Sequence, residues 1–326
     1  MVSSHDIFTI SGKKDFEKIT MKVFRYQYEN NSVYQKFCNL IRKDPTNVKT
    51  IEAIPFLPIQ LFKSHDVLSS SDSIQQIFTS SGTTGMQTSR HLVTDISLYE
   101  ESYRKGFTEF YGNIENYCVL ALLPSYLERE GSSLIYMVED LIKLSNHPDS
   151  GFYLHNYDEL IAKLEDLDNS GQNVLLIGVT YALLDLIEKH PFQLNNTIIM
   201  ETGGMKGKRK EIIREELHSI LCKGFGVSAI HSEYGMTELL SQAYSLGNGI
   251  FECPPWMQIL IRDTEDALTL IPEGKTGGIN VIDLANINSC SFIATQDLGK
   301  KYPNHSFEVL GRFDNSDIRG CNLMVL

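Results

Sequence analysis

Between Tyr117 and Ser232, short apolar runs alternate with segments of helical spacing, and this alternation limits the fold more than any other feature. The runs are "YCVLALLP", "QNVLLIGVT", "NTIIMET" and "VSAIHS". Between them lie "DELIAKLEDL", "YALLDLIEKH" and "EIIREELHSILCKGFG"; in the first of these, Leu160, Ile161, Leu164 and Leu167 recur at helical intervals. Strands that are apolar at every position need cover on both faces, and the intervening helices supply it. The segment therefore predicts an α/β layer structure with mostly parallel strands.

The flanks read differently. From Asp15 to about Lys43 the spacing is helical, and "IEAIPFLPIQLFKSHDV" then brings proline and apolar clusters that predict an extended connector. Thr94 or Asp95 can cap a helix through Ile96, Leu98, Tyr99 and Phe107 that ends near Gly112. Beyond about Leu246, "MQILIRD", "PEGKTGGINVIDL" and "SFEVLGRFD" predict short strands joined by turns. The expected division is a helical lead-in and connector over 1–75, an α/β core over 76–245, and a small β-rich subdomain with a short tail over 246–326.

A net charge of −12 over 326 residues repels nucleic acid and anionic membrane surfaces. No apolar stretch is long enough to span a bilayer, and "MVSSHDIFTI" lacks a basic segment followed by a long apolar one. The six cysteines form no C-x-x-C pair and no zinc-like spacing with histidine. Free thiols in a cytoplasmic setting are the expectation.

Two polar stretches interrupt this apolar pattern. "SSGTTG" comprises Ser80, Ser81, Gly82, Thr83, Thr84 and Gly85. Read between a strand and a helix, it is either a tight turn or an anion cradle in which backbone N–H groups and hydroxyls face a phosphate. It is not a Walker loop, because the required lysine is missing. The second stretch, "SEYGMTEL", offers Tyr234, Gly235, Thr237 and Glu238 within five residues. That set is either an ordinary strand-to-helix junction or the makings of a Mg-nucleotide site, with a ring for a base, a hydroxyl for phosphate and an oxygen ligand for a hard cation.

Taken together, in this order and followed by "ATQDLG" and "GRFDNSDIRG", these stretches resemble the adenylate-forming superfamily that includes acyl-CoA synthetases and phenylacetate-CoA ligases. "PFLPIQLFKSHDV", "LPSYLEREGSSLIYMV" and "ETGGMKGKR" resemble segments of the acyl-protein synthetases, the luciferin-component ligases. The resemblance implies an adenylation-type core that uses ATP and Mg. It makes Ser80 to Gly85 the phosphate loop, Tyr234 the adenine-stacking ring, Thr237 a phosphate contact and Glu238 the magnesium ligand. Gly203 and Gly204 match a glycine pair that lets backbone approach adenine. Asp297 would hold the ribose hydroxyls with Arg312 behind it, although Gln296 stands where the pattern usually has glycine.

The implied chemistry is activation of a carboxylic acid, in this family a long-chain fatty acid, as an acyl-adenylate, then transfer to a protein thiol. Cys321, in "RGCNLMVL", matches the acyl-accepting cysteine near the family's C-terminus, from which a reductase or carrier protein takes the group. As an unpaired cysteine it could equally be a small buried hydrophobe. Most of the superfamily carries a catalytic lysine in a mobile C-terminal domain, whereas this chain runs only eight residues past Ile318, so that domain is not expected. Lys206 is the first candidate substitute, followed by Lys300 and Lys301. Lys206 opens "KGKRK" ahead of a helix, where the helix dipole opposes cations. Either a bound polyanion or the neighbouring Glu211, Glu215 and Glu216 offsets that. Two alternatives stay open: delivery to coenzyme A, and a non-catalytic binding subunit of the same fold.

Overall fold

The computed structural model describes residues 2–80, 88–124, 131–154, 156–203 and 212–313. They fall into two compact units, Met1–Asp72 with Pro255–Leu326, and Ser73–Pro254.

The first unit begins with α1 (Ser4–Phe8), α2 (Lys13–Asn30) and α3 (Ser32–Leu40). Asn31 ends α2 and caps α3, its Oδ1 accepting from Tyr34 N. The stretch expected to be an extended connector is broken into a 3-10 turn (Ile51–Ala53), the two-residue strand β1 (Leu57–Pro58) and the single helical turn α4 (Leu61–Ser64).

The rest of the first unit comes from the other end of the chain. Strands β11 (Met257–Arg262), β12 (Thr276–Asp283), β13 (Phe292–Lys301) and β14 (Phe307–Arg312) pair antiparallel in that order, and β1 adds in parallel to β13. Phe292 of β13 stacks on Tyr34 at 5.9 Å and meets Phe24 and Phe56 edge-on, which seats the N-terminal helices on this sheet. Gln27, fully buried, donates to the carbonyls of Asn286 and Ile287 and accepts from Ser291 N. Those bonds satisfy backbone groups that would otherwise be orphaned away from water.

In the second unit, β2 (Gln76–Thr79) and β3 (Arg90–Val93) form an antiparallel hairpin. Helix α5 (Ile96–Tyr111) follows, capped by Asp95, whose Oδ1 accepts from Ser97 N, and it ends at Gly112. The α/β alternation then runs through β4 (Cys118–Leu122), α6 (Ser133–Ser145), β5 (Gly151–Phe152), α7 (Tyr157–Asn169), β6 (Val174–Gly178), α8 (Thr180–Lys189), β7 (Thr197–Glu201), α9 (Arg214–Phe225) and β8 (His231–Tyr234). Strands β5-β4-β6-β7-β8 are parallel neighbours, and β9 (Ala243–Ser245) and β10 (Ile250–Glu252) extend the sheet antiparallel. Every residue of β4 and β6 is buried, as strands covered on both faces require. The layered α/β expectation holds.

Three local readings need correction. "SSGTTG" leads not from a strand into a helix but from β2 to its hairpin partner β3. The strand read from "VSAIHS" starts later, at His231, because Val227 belongs to the end of α9. There Gly226 takes the left-handed conformation (φ 69°) and Val227 N–H bonds to Cys222 O at 3.1 Å, so an apolar residue serves as a helix stop. The segment after Tyr234 is a turn returning to β9 rather than the start of a helix. Among the described residues no helix is long and apolar enough to cross a membrane.

Candidate active site

In the second unit, β7 and β8 deliver their last residues, Glu201 and Tyr234, at the same end of a parallel pair. The carboxyl ends of such strands are where open α/β sheets bind ligands, since the backbone there leaves the sheet with unpaired groups.

At the hairpin, Ser80 closes the stem of the hydroxyl and glycine loop. Its N–H donates to Ser89 O at 3.1 Å and its Oγ accepts from Ser89 N at 2.9 Å. Ser81, Gly82, Thr83, Thr84 and Gly85 lie outside the described residues. Two residues past Ser89, His91 is fully buried, with Nδ1 2.9 Å from the carbonyl oxygen of Thr237. A carbonyl only accepts, so Nδ1 carries the proton in this bond. The two stretches singled out in the sequence are thereby joined: the strand leaving one holds the backbone of the other.

Glu238, next along, is 6% exposed, a buried carboxylate in the turn after β8. Tyr234 is buried and meets Phe251 edge-on at 6.0 Å; Phe251 in turn carries the Arg214 guanidinium over its ring at 5.2 Å.

Gly203 follows β7 with φ 79°, a conformation costly for side-chain-bearing residues. Its N–H donates to Glu201 Oε2 at 2.8 Å. Glu201 is the electrostatic centre of this corner, at 3% exposure. Arg214 Nη1 approaches its Oε1 at 2.8 Å, Thr180 Oγ1 donates to Oε2 at 3.3 Å, and His218 Nε2 stands 3.6 Å from Oε1. Burial by itself would raise this carboxyl, but His218, Arg214 and the Gly203 N–H outweigh it and hold it down at about 2. Glu233, one residue before Tyr234, has the opposite balance: burial and then the negative charge of Glu201 push it up to about 8. Gly204 and Lys206 lie outside the described residues.

Asp297 and Arg312 belong to the first unit. They stand opposite each other in the β13–β14 register, with Nε 3.3 Å from Oδ1; Asp297 is buried and the Arg312 side chain is 82% exposed. Gln296 sits inside β13, where its carbonyl accepts from Phe313 N, so a strand stands where a glycine turn is the usual pattern. Lys301 is buried and pairs with Glu273 at 3.3 Å, so its charge is already compensated, while Lys300 lies over the Tyr302 ring. Cys321 lies outside the described residues.

Sequence reasoning passed over His91, Glu201, Arg214 and Glu233. Glu201 and Glu233 did leave a local signal, each a carboxylate on an otherwise apolar or poorly charged strand within a quoted stretch, "ETGGMKGKR" and "SEYGMTEL". For Mg the donor chemistry fits. Mg sites with nucleotides use one or two carboxylates and draw their other ligands from phosphate and water, and Glu238 supplies one carboxylate beside the Thr237 backbone. No group of three or more His, Cys, Asp or Glu placed to hold a metal occurs among the described residues.

A model of the acyl-protein synthetase family, LuxE, matches residues 4–326. A long-chain-fatty-acid–luciferin-component ligase of Vibrio harveyi is 22% identical over 330 residues, covering 94% of this chain and 86% of that protein. The corresponding ligase of Photorhabdus luminescens is 33% identical over 72 residues, 22% of this chain and 61% of that protein. Among solved structures, an open conformation of 2-hydroxyisobutyryl-CoA ligase aligns over 93% of this chain and 70% of its own, with TM-score 0.67 and 11% identity. ATP-bound MatB from Rhodopseudomonas palustris aligns over 74% of this chain with TM-score 0.54 and 18% identity. This chain spans about half of that one, 49%. At such identities the structures speak to the fold, which is that of adenylate-forming ligases.

Proposed function

This chain belongs to the acyl-protein synthetase (LuxE) family, and from that premise we propose that it activates a carboxylic acid with ATP and passes the acyl group to a protein thiol. The observation that carries the reading is the His91–Thr237 hydrogen bond, which ties the stem of the hydroxyl and glycine loop to the "SEYGMTEL" turn. The ATP bound to MatB, the long-chain fatty acid in the name of the Vibrio harveyi relative and the protein acceptor in the name of the family supply the substrates to assay first.

In the first step a carboxylate oxygen attacks the α-phosphorus of ATP. One O–P bond forms, the bond to the β-phosphate oxygen breaks, and pyrophosphate leaves with the electron pair. The acid is already ionised near neutral pH, so no general base is needed; the protein aligns the reactants and offsets charge on the phosphoryl oxygens. Backbone and hydroxyl donors of Ser81 to Gly85, with the Ser80 hydroxyl, would face the phosphates, since the Ser80 N–H is spent on the hairpin stem; Thr237 would add a contact, and Tyr234 with the Gly203–Gly204 backbone would flank the base. Asp297, backed by Arg312, would take the ribose. Lys206 would contribute the cationic side chain. Glu238 would hold Mg, which when bound neutralises phosphate charge. In the second step the thiolate of Cys321 attacks the acyl carbon, forming the thioester and releasing AMP, and a reductase or carrier protein then takes the acyl group.

Acid-dependent exchange of labelled pyrophosphate into ATP tests the first step; no exchange with any acid, with or without an added acceptor protein, rejects it. Labelled acid that stays on the protein, is released by hydroxylamine and disappears in Cys321→Ser while exchange persists supports the second. Accumulation of acyl-CoA instead would reassign the acceptor.

A further inference from the structure

Glu201 and Ser232 stand opposite each other in the parallel register of β7 and β8, and two residues further along each chain come Gly203 and Tyr234. The Glu201 carboxylate works in two directions from this rung. Its Oε2 accepts from Gly203 N–H at 2.8 Å, which secures the left-handed Gly203, and from Thr180 Oγ1 at 3.3 Å. Its Oε1 accepts from Arg214 Nη1 at 2.8 Å. Both oxygens are engaged.

Arg214 carries the link to the second strand. Its Nη1 also donates to Ser232 Oγ at 3.3 Å, and the guanidinium carbon lies 5.2 Å from the centre of the Phe251 ring, which meets the Tyr234 ring edge-on at 6.0 Å. The stem of Arg214 is set as well. A Cβ added at Gly249, in the turn between β9 and β10, would lie 2.6 Å from Arg214 Cδ, so that position favours glycine both for its φ of 66° and for this contact. As a source of stability, a buried ion pair is often no better than apolar residues of the same volume. As a brace it does what apolar residues cannot: it offers a directed acceptor to an N–H and a flat cation to a ring. One ion pair thus joins the backbone of Gly203 on one strand to the ring of Tyr234 on the next.

Resting on the adenylation reading above, in which the base lies between Tyr234 and the Gly203–Gly204 backbone, we propose that Glu201 and Arg214 are positioning residues for the nucleotide base. Glu201 fixes the Gly203 wall, and Arg214, through Phe251, fixes the Tyr234 wall. Both act through other groups rather than on the nucleotide itself. Contacts of this kind weaken when a wall shifts by about an ångström. Losing the brace therefore costs affinity that depends on the base and spares affinity that depends on the phosphates, whose contacts come from other segments.

Calorimetric titration of the full chain with ATP and with tripolyphosphate, Mg present and acid absent, separates base binding from phosphate binding. Wild type should prefer ATP. Glu201→Gln keeps the shape but offers one acceptor oxygen where the brace uses two, so it cannot serve both Gly203 N–H and Arg214. Arg214→Lys keeps a cation beside Glu201 and loses the flat contact with Phe251. Each should weaken ATP binding about tenfold, within the range that base stacking carries, and leave tripolyphosphate within about twofold. The double variant should bind no more weakly than the weaker single one, because both act through one brace. In the pyrophosphate exchange assay the same variants should raise KM for ATP and keep the maximal rate. Melting curves identify any variant that fails to fold; Ser232→Ala, which removes one bond to Arg214, then carries the test with a smaller loss of the same kind. An ATP preference that survives in every folded variant, or parallel loss of ATP and tripolyphosphate, overturns the brace and leaves the adenylation reading intact. No preference for ATP in wild type rejects the base site and the brace with it. A wild-type preference that the variants lose, without any pyrophosphate exchange, rejects adenylation and leaves the brace standing.

Discussion

His91 Nδ1 and the carbonyl oxygen of Thr237 stand 2.9 Å apart, 146 residues apart in the chain, and this bond fixes the turn that holds Glu238. Replacing His91 by Ala removes the donor to a part-buried carbonyl, at a cost of about 0.5–1.5 kcal/mol. His91→Asn, which retains an N–H donor on a shorter arm, should recover part of it. Urea unfolding gives the stability loss. The adenylation reading adds that KM for ATP in the exchange assay rises in His91→Ala by more than the unfolded fraction explains.

Glu201, held at about 2, contributes stability that is fully present above the pKa of an unfolded glutamate, near 4.5, and is lost as pH falls towards 2. The loss should be about 3 kcal/mol, seen as a falling denaturation midpoint across that window, and Glu201→Gln should flatten the slope. Arg214→Leu removes the partner and leaves a buried carboxylate, a change of about 3–5 kcal/mol near neutral pH. A variant as stable as wild type would show that Arg214 is not what compensates Glu201.

Glu233 runs the other way. With its folded value raised to about 8, its contribution is intact below about 4.5 and declines as pH rises through 8, because the unfolded chain ionises far more readily. Glu233→Gln should therefore be more stable than wild type at pH 8, by up to about 4 kcal/mol, and the two stability curves should converge near pH 4.5. Parallel curves across the range would contradict the raised value.

At Gly203 an added Cβ meets nothing within 4 Å, so Gly203→Ala probes backbone conformation alone. The left-handed φ should cost about 1–2 kcal/mol. A loss well below 1 kcal/mol would mean that the backbone there shifts without penalty.

Arg312 is largely exposed, and its ion pair with Asp297 is of a kind that contributes about 0–1 kcal/mol. Arg312→Ala should leave the melting temperature nearly unchanged. If Asp297 holds the ribose, Asp297→Ala raises KM for ATP at least about tenfold, and an unchanged KM rejects that role.

The α/β core was legible in the sequence because its signals are local. Strands such as Cys118–Leu122 and Val174–Gly178 are apolar at every position, and helices such as Tyr157–Asn169 repeat their apolar residues along one face, so neighbouring residues alone declare the element. Where a local signal had two uses, the reading slipped. Val227 is as apolar as a strand residue but completes a helix cap, and a glycine and hydroxyl loop serves a hairpin as well as a strand-to-helix turn.

By itself the sequence determined the layer architecture, the two polar stretches and their resemblance to one family, all written in short windows of residue type and period. Only the tertiary structure decided that His91 holds Thr237 and that Arg214 compensates Glu201. The reason is physical: a hydrogen bond or a shifted carboxyl depends on distance and burial, and residues many positions apart acquire both only once the sheet has set its register.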